Sequence, residues 1–199
     1  CQTAMVGLEN FRDVTKFLAH MKNSTCSNLS AFEVMWGNYY NAVTEEGAHK
    51  APMKRDYPYY VITECTGTHE DSDEAIFMTA MESALEKGII QDAIIPKSEQ
   101  ERQSIWLIRE GFEPILENNP LFLYDVSLPI IHMETYISEV QQNIIKTWPT
   151  SACYVIGHIG DGNLHLMVCP KTGGEELHHK SDEIVYGPLK KIGGSVSAE

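Results

Sequence analysis

Residues 151–170, SACYVIGHIGDGNLHLMVCP, set an Asp-Gly pair between two apolar, β-branched runs. A chain of this pattern turns back on itself there, and little else in the sequence constrains the fold as much. A two-residue type I′ turn needs positive φ at both central positions, which Asp161-Gly162 tolerates. That turn pairs Gly160 with Asn163, Ile159 with Leu164 and His158 with His165. Val155, Ile159, Leu164, Leu166 and Val168 then point to the core, and the two histidines share the other face. Directly opposed, their Cβ atoms lie roughly 4.5–5.5 Å apart, close enough for one metal ion to be shared. Gly157 and Gly160 leave room for a ligand or cofactor to approach the backbone. The register decides the outcome. A turn at Gly162-Asn163 keeps the histidines on one face but diagonal, and a three-residue loop separates them. On spacing alone an ordinary cross-strand polar pair competes with a metal site. Asp161 and Asn163 have turn roles, and Asn163 is also a candidate contact to a cofactor.

Upstream, LENFRDVTKFLAHMKN (8–23) has helical spacing, with Phe11, Val14, Phe17, Leu18 and Met21 on one side. Any strand before it is expected to be residual. Residues 31–43 read as a strand and then a short helix, and 45–58 as a loop. YYVITECTG (59–67) reads as a strand. Asp71, Ser72 and Asp73 offer caps for the helix ending at Gly88. DAIIP (92–96) is a short strand. Ser98 with Glu101 forms a capping box for a helix over 99–113. LFLYDVSLP (121–129) is a strand stopped by Pro129, followed by a helix to about Lys146. Beyond the hairpin, 174–191 form a polar helix and GGSVSAE an extended tail. No G-x-G-x-x-G follows a strand, and no P-loop occurs. The pattern predicts an α+β fold: an antiparallel sheet with helices packed on it, in two ferredoxin-like units forming one domain over 1–199.

The formal net charge of −13 excludes a run of phosphate contacts, so no nucleic-acid partner is expected. No apolar run reaches the length of an integral membrane segment, and the first residues lack the pattern of a secretory signal. The five cysteines are dispersed without a CxxC pair, which fits reduced, buried thiols in a cytoplasmic or mitochondrial-matrix setting. The acidic balance reads as a solvated surface, and a homodimer stays open.

GHIGDGNLH (157–165), YYVITECTG, Arg109 followed by YDVSLP (124–129), and GGSVSAE (193–199) occur in the order and spacing of a known family. The chain resembles the FAD-linked oxidase C-terminal domain of flavoproteins that include D-lactate, D-2-hydroxyglutarate and glycolate dehydrogenases and vanillyl-alcohol oxidase. The resemblance implies a divalent metal (Zn, Mn or Fe) on His158, His165 and Glu199, with Arg109 binding the carboxylate of a small 2-hydroxyacid. It implies an N-terminal FAD-binding domain outside these residues. It also places the catalytic base after Glu199. Members acting on D-2-hydroxyglutarate have Thr, Lys and Asn where this chain has Glu113, Leu123 and Met167, so the resemblance points to a substrate with a neutral tail. Two other readings remain open: a metal-independent flavin oxidase of the same superfamily, and a stand-alone ferredoxin-like module for a metal or small acid. The electron acceptor is not readable from the residues.

Overall fold

The computed structural model describes residues 1–25, 28–45, 49–171 and 176–197. The chain divides into two compact units, residues 1–112 and 113–199.

The first unit runs β1 (Gln2–Leu8), α1 (Phe11–Ser24), β2 (Leu29–Trp36), α2 (Gly37–Val43), β3 (Tyr59–Cys65), α3 (Glu70–Glu86), β4 (Asp92–Ile94) and α4 (Glu99–Glu110). Its strands lie in the order β4-β1-β3-β2, with antiparallel pairing throughout. That is the ferredoxin-like βαββαβ arrangement. The strand expected to be residual is therefore a full one. β1 sits between β3 and β4, and Thr3 to Leu8 are buried. The apolar run QTAMVGL, buried on both faces, lacks the alternation that marks a half-exposed strand. Helix α1 starts three residues later than the spacing suggested, because Asn10 caps it through a bond from Asp13 N. Helix α3 starts earlier than expected, at Glu70. Asp73, expected as a cap before the helix, accepts from His69 N from inside the first turn. The helix expected over 99–113 breaks at Gly111.

The second unit runs α5 (Glu113–Leu116), β5 (Phe122–Ser127), α6 (Ile130–Thr147), β6 (Ala152–His158), β7 (Asn163–Cys169), α7 (Leu177–Tyr186) and β8 (Ser195–Val196). Its strand order is β6-β7-β5-β8, the same βαββαβ plan. Two residues of the expected extended tail, Ser195–Val196, are thus a strand, with Val196 opposite Val126. Helix α7 is not polar all round. Leu177, Ser181, Ile184 and Val185 are buried, because this stripe lies against the sheet. Tyr124 donates to Asp182 of α7 at 2.9 Å, and Tyr136 of α6 donates to the Val185 carbonyl at 2.9 Å.

Strand alternation sorts both units into two faces. In the first, Phe17 of α1 meets Phe32 of β2 at 5.6 Å between ring centroids. The opposite face carries Glu33 and Glu64, where α4 lies. In the second, Tyr124, Val126, Val155, Leu164, Leu166 and Val168 face the helices and are buried. Leu123, Asp125, His165 and Met167 occupy the other face.

Cys65, Cys153 and Cys169 are buried thiols, Cys1 is an exposed thiol, and Cys26 lies outside the described residues. Burial pushes the Cys153 thiol up to about 12 and the Cys169 thiol to about 11. Only thiolate reacts, so an alkylating reagent at neutral pH should label Cys1 readily and Cys153 and Cys169 only after unfolding. These two thiols hold their protons longer when folded than when unfolded. Stability is therefore unaffected by them below about pH 9 and falls as the pH rises from there toward 12. Rapid labelling of Cys153 in the folded protein would contradict this.

Candidate active-site face

The β6–β7 hairpin keeps the expected parity but shifts its register. Val155 pairs with Leu166 and Ile156 with His165. The turn is not two residues long. Ile159–Asp161 make one turn of 3-10 helix, closed by Gly162 at φ 77. Gly162 N bonds to Ile159 O at 3.1 Å and Leu128 N to Gly162 O at 2.9 Å. The second bond ties the turn to the end of β5. The connection spends four residues, 159–162, where a type I′ turn spends two, so the direct opposition of His158 and His165 is lost. The shift is two residues, and a strand repeats every two, so both histidines stay on one face. They are diagonal, with ring centroids 5.3 Å apart and planes at 84°.

Gly157 has a different reason from the one its position suggested. A Cβ there would stand 2.4 Å from Asn163 O and 2.9 Å from Leu164 Cα. The hairpin's own second strand uses the space that was expected to serve a ligand. At Gly160 a methyl group in place of the hydrogen would meet nothing within 4 Å, so that side stays open.

Sequence reasoning missed Asp125. It stands directly across from His165 in the β5–β7 ladder, and its Oδ1 bonds to His165 Nδ1. Leu123 and Met167 are the next directly opposed pair on the same face. Leu123 is 60% exposed and Met167 is buried. Glu113 opens α5 and is exposed. Asn163 is buried, and its Nδ2 lies 3.4 Å from Ser197 Oγ, next to the tail strand. Glu199 lies outside the described residues. Among the described residues no group of three His, Cys, Asp or Glu is arranged to hold a metal ion.

Arg109 belongs to the first unit. It is not a surface residue. Its Nε donates to Glu33 Oε2 at 3.0 Å, and the two side chains are 12% and 7% exposed. Arg102, two turns earlier on α4, reaches Glu64 at 3.1 Å, and Trp106 Nε1 donates to the same oxygen at 3.1 Å. Glu33 was also missed. Its signal was an acid inside the apolar run AFEVMW, which demands a buried cation as partner.

Two ferredoxin-like units, the second with a histidine pair and a carboxylate on the sheet face opposite its helices, make up an α+β fold. The chain belongs to the family of FAD linked oxidases, C-terminal domain, which it matches over residues 1–199. It is 32% identical to a D-2-hydroxyglutarate dehydrogenase of Xanthomonas citri pv. viticola, over 86% of this chain and 37% of that protein. It is 27% identical to a mitochondrial protein of Schizosaccharomyces pombe whose name proposes a D-lactate dehydrogenase, over 98% of this chain and 39% of that protein. The chain thus spans under two-fifths of the length of these relatives. Its fold matches that of p-cresol methylhydroxylase with substrate bound, at TM-score 0.65 and 11% identity, over 98% of this chain and 44% of the other. No helix among the described residues is long and apolar enough to cross a membrane.

Proposed function

We propose that this domain is the substrate- and metal-binding part of an FAD-dependent D-2-hydroxyacid dehydrogenase, which oxidises a 2-hydroxyacid to a 2-oxoacid. The observation that carries the reading is the His158–His165 pair on one sheet face, with His165 held by Asp125. Two neutral imidazoles, one oriented by a carboxylate, suit Zn²⁺, Mn²⁺ or Fe²⁺. Glu199 is the third ligand in this reading. A cation there would lower the pKa of a bound hydroxyl, and FAD supplies the hydride acceptor. Arg109 takes the substrate carboxylate. Its Nε donates to Glu33, which fixes the plane of the guanidinium, and a planar guanidinium suits a carboxylate. Asn163 is the proposed cofactor contact. The reading puts the protein in the cytoplasm, or in the mitochondrial matrix of a eukaryote.

The pairing of Leu123 with Met167 supports a substrate with a neutral tail. A second substrate carboxylate beside these side chains would gain no hydrogen-bond donor from them. The test is anaerobic bleaching of the flavin in the full-length protein by D-lactate, D-2-hydroxybutyrate and D-2-hydroxyglutarate, with bound metal measured in parallel. The D-acids should bleach it, and the neutral-tailed ones should lead by about tenfold in kcat/KM, or about 1.4 kcal/mol. His165→Ala should lose the bound metal and the turnover together. Flavin that none of these acids reduces would overturn the reading, and a lead for 2-hydroxyglutarate would overturn the tail assignment alone.

A further inference from the structure

His165 is held from two directions. Its backbone is fixed in the β7 ladder opposite Asp125, and its ring is fixed through the bond from Nδ1 to Asp125 Oδ1. The Asp125 backbone is held in turn, since its carbonyl accepts from Ser197 N at 2.9 Å, just past β8. A neutral imidazole carries one N–H and one lone pair, and an ionised carboxylate only accepts. Facing Asp125, Nδ1 must therefore carry the hydrogen. The lone pair is left on Nε2, at the far edge of the ring from Asp125. The His158 ring stands on the same face, 5.3 Å away and nearly perpendicular.

The geometry points to Asp125 as the positioning residue of a divalent-cation site on this face. It fixes the tautomer and ring orientation of His165, so that Nε2 is presented to an ion shared with His158. This inference rests on the metal reading above and deepens it. Asp125 touches neither ion nor substrate and acts only through His165. A ring free to rotate or change tautomer must be ordered by the ion itself, and loss of such a supporting carboxylate weakens metal binding about 10–100-fold.

The experiment uses the full-length protein labelled with ¹⁵N-histidine and stripped of metal, in wild-type, Asp125→Asn, Asp125→Ala and His165→Ala forms. Nitrogen chemical shifts read the tautomer, with the His165 signals assigned by their loss in His165→Ala. Zn²⁺ titration by calorimetry reads affinity. Wild type should show His165 protonated at Nδ1. Asp125→Ala should move it toward the Nε2–H form and raise the zinc Kd about 10–100-fold. Asp125→Asn keeps an acceptor of the same shape and should fall between, which also separates the effect from misfolding. Zinc affinity unchanged in both Asp125 variants, or a wild-type His165 protonated at Nε2, would overturn the positioning role. Zinc affinity equal in wild type and His165→Ala would instead overturn the metal reading on which it rests.

Discussion

Arg109→Ala in the full-length protein is expected to lower kcat/KM for the 2-hydroxyacid by about 10³, or about 4 kcal/mol of transition-state binding. The same change should lower stability by about 3–5 kcal/mol, because it leaves Glu33 charged and buried without its guanidinium. For these 199 residues unfolding as one unit, that is a fall of about 10 °C in Tm. The two effects separate in a double variant. Glu33→Gln with Arg109→Met removes both charges, and replacing both members of a buried pair with neutral groups of similar size is often neutral for stability. Most of the Tm should return while activity stays lost. A double variant that regained turnover would show that Arg109 serves the fold and not the substrate.

Gly157→Val is the second large effect. The added Cβ meets the backbone at Asn163 O and Leu164 Cα, and neither can swing aside like a flexible side chain. The hairpin must open, at a cost of about 3 kcal/mol from overpacking. Opening it also moves His158, the next residue, off its place beside His165, so metal content should fall with stability. Gly160→Ala is the matched control: its methyl meets nothing within 4 Å, and its effect should stay within about 0.5 kcal/mol. Denaturant unfolding with metal analysis checks both. Equal stability for Gly157→Val and wild type would mean that the close approach at 157 is not a real constraint.

The candidate face was legible in the sequence because strand parity survives errors of two residues. The wrong turn type still left His158 and His165 together, whereas an error of one would have parted them. The turn itself was not legible. Its conformation depends on Leu128 bonding to Gly162, a contact from a strand thirty-odd residues earlier. Asp125 was hidden for the same reason. Nothing in YDVSLP says which strand lies beside it, so a carboxylate on the face away from the helices looks like solvated surface. Glu33 could have been found, since an acid flanked by Phe32 and Val34 in a buried strand needs a partner, although only the fold shows that the partner is Arg109. The fold class followed from element order, yet β1 was undercounted because a strand buried on both faces carries no period.

The two units share a strand order but close their sequence-adjacent strand pairs over very different lengths of chain. In the second, β6 and β7 are separated by four residues, 159–162. In the first, β2 and β3 are separated by 22 residues, 37–58. Treated as flexible loops, the longer one costs about 1.5 kcal/mol more in entropy to bring together. The second unit's hairpin is therefore the natural nucleus on a folding path, and the first unit must wait for a longer search. The strand pair that carries the histidines would be native-like early, before Arg109 has a settled sheet beneath it. A full chain refolding from denaturant would therefore bring His158 and His165 together before Arg109 meets Glu33.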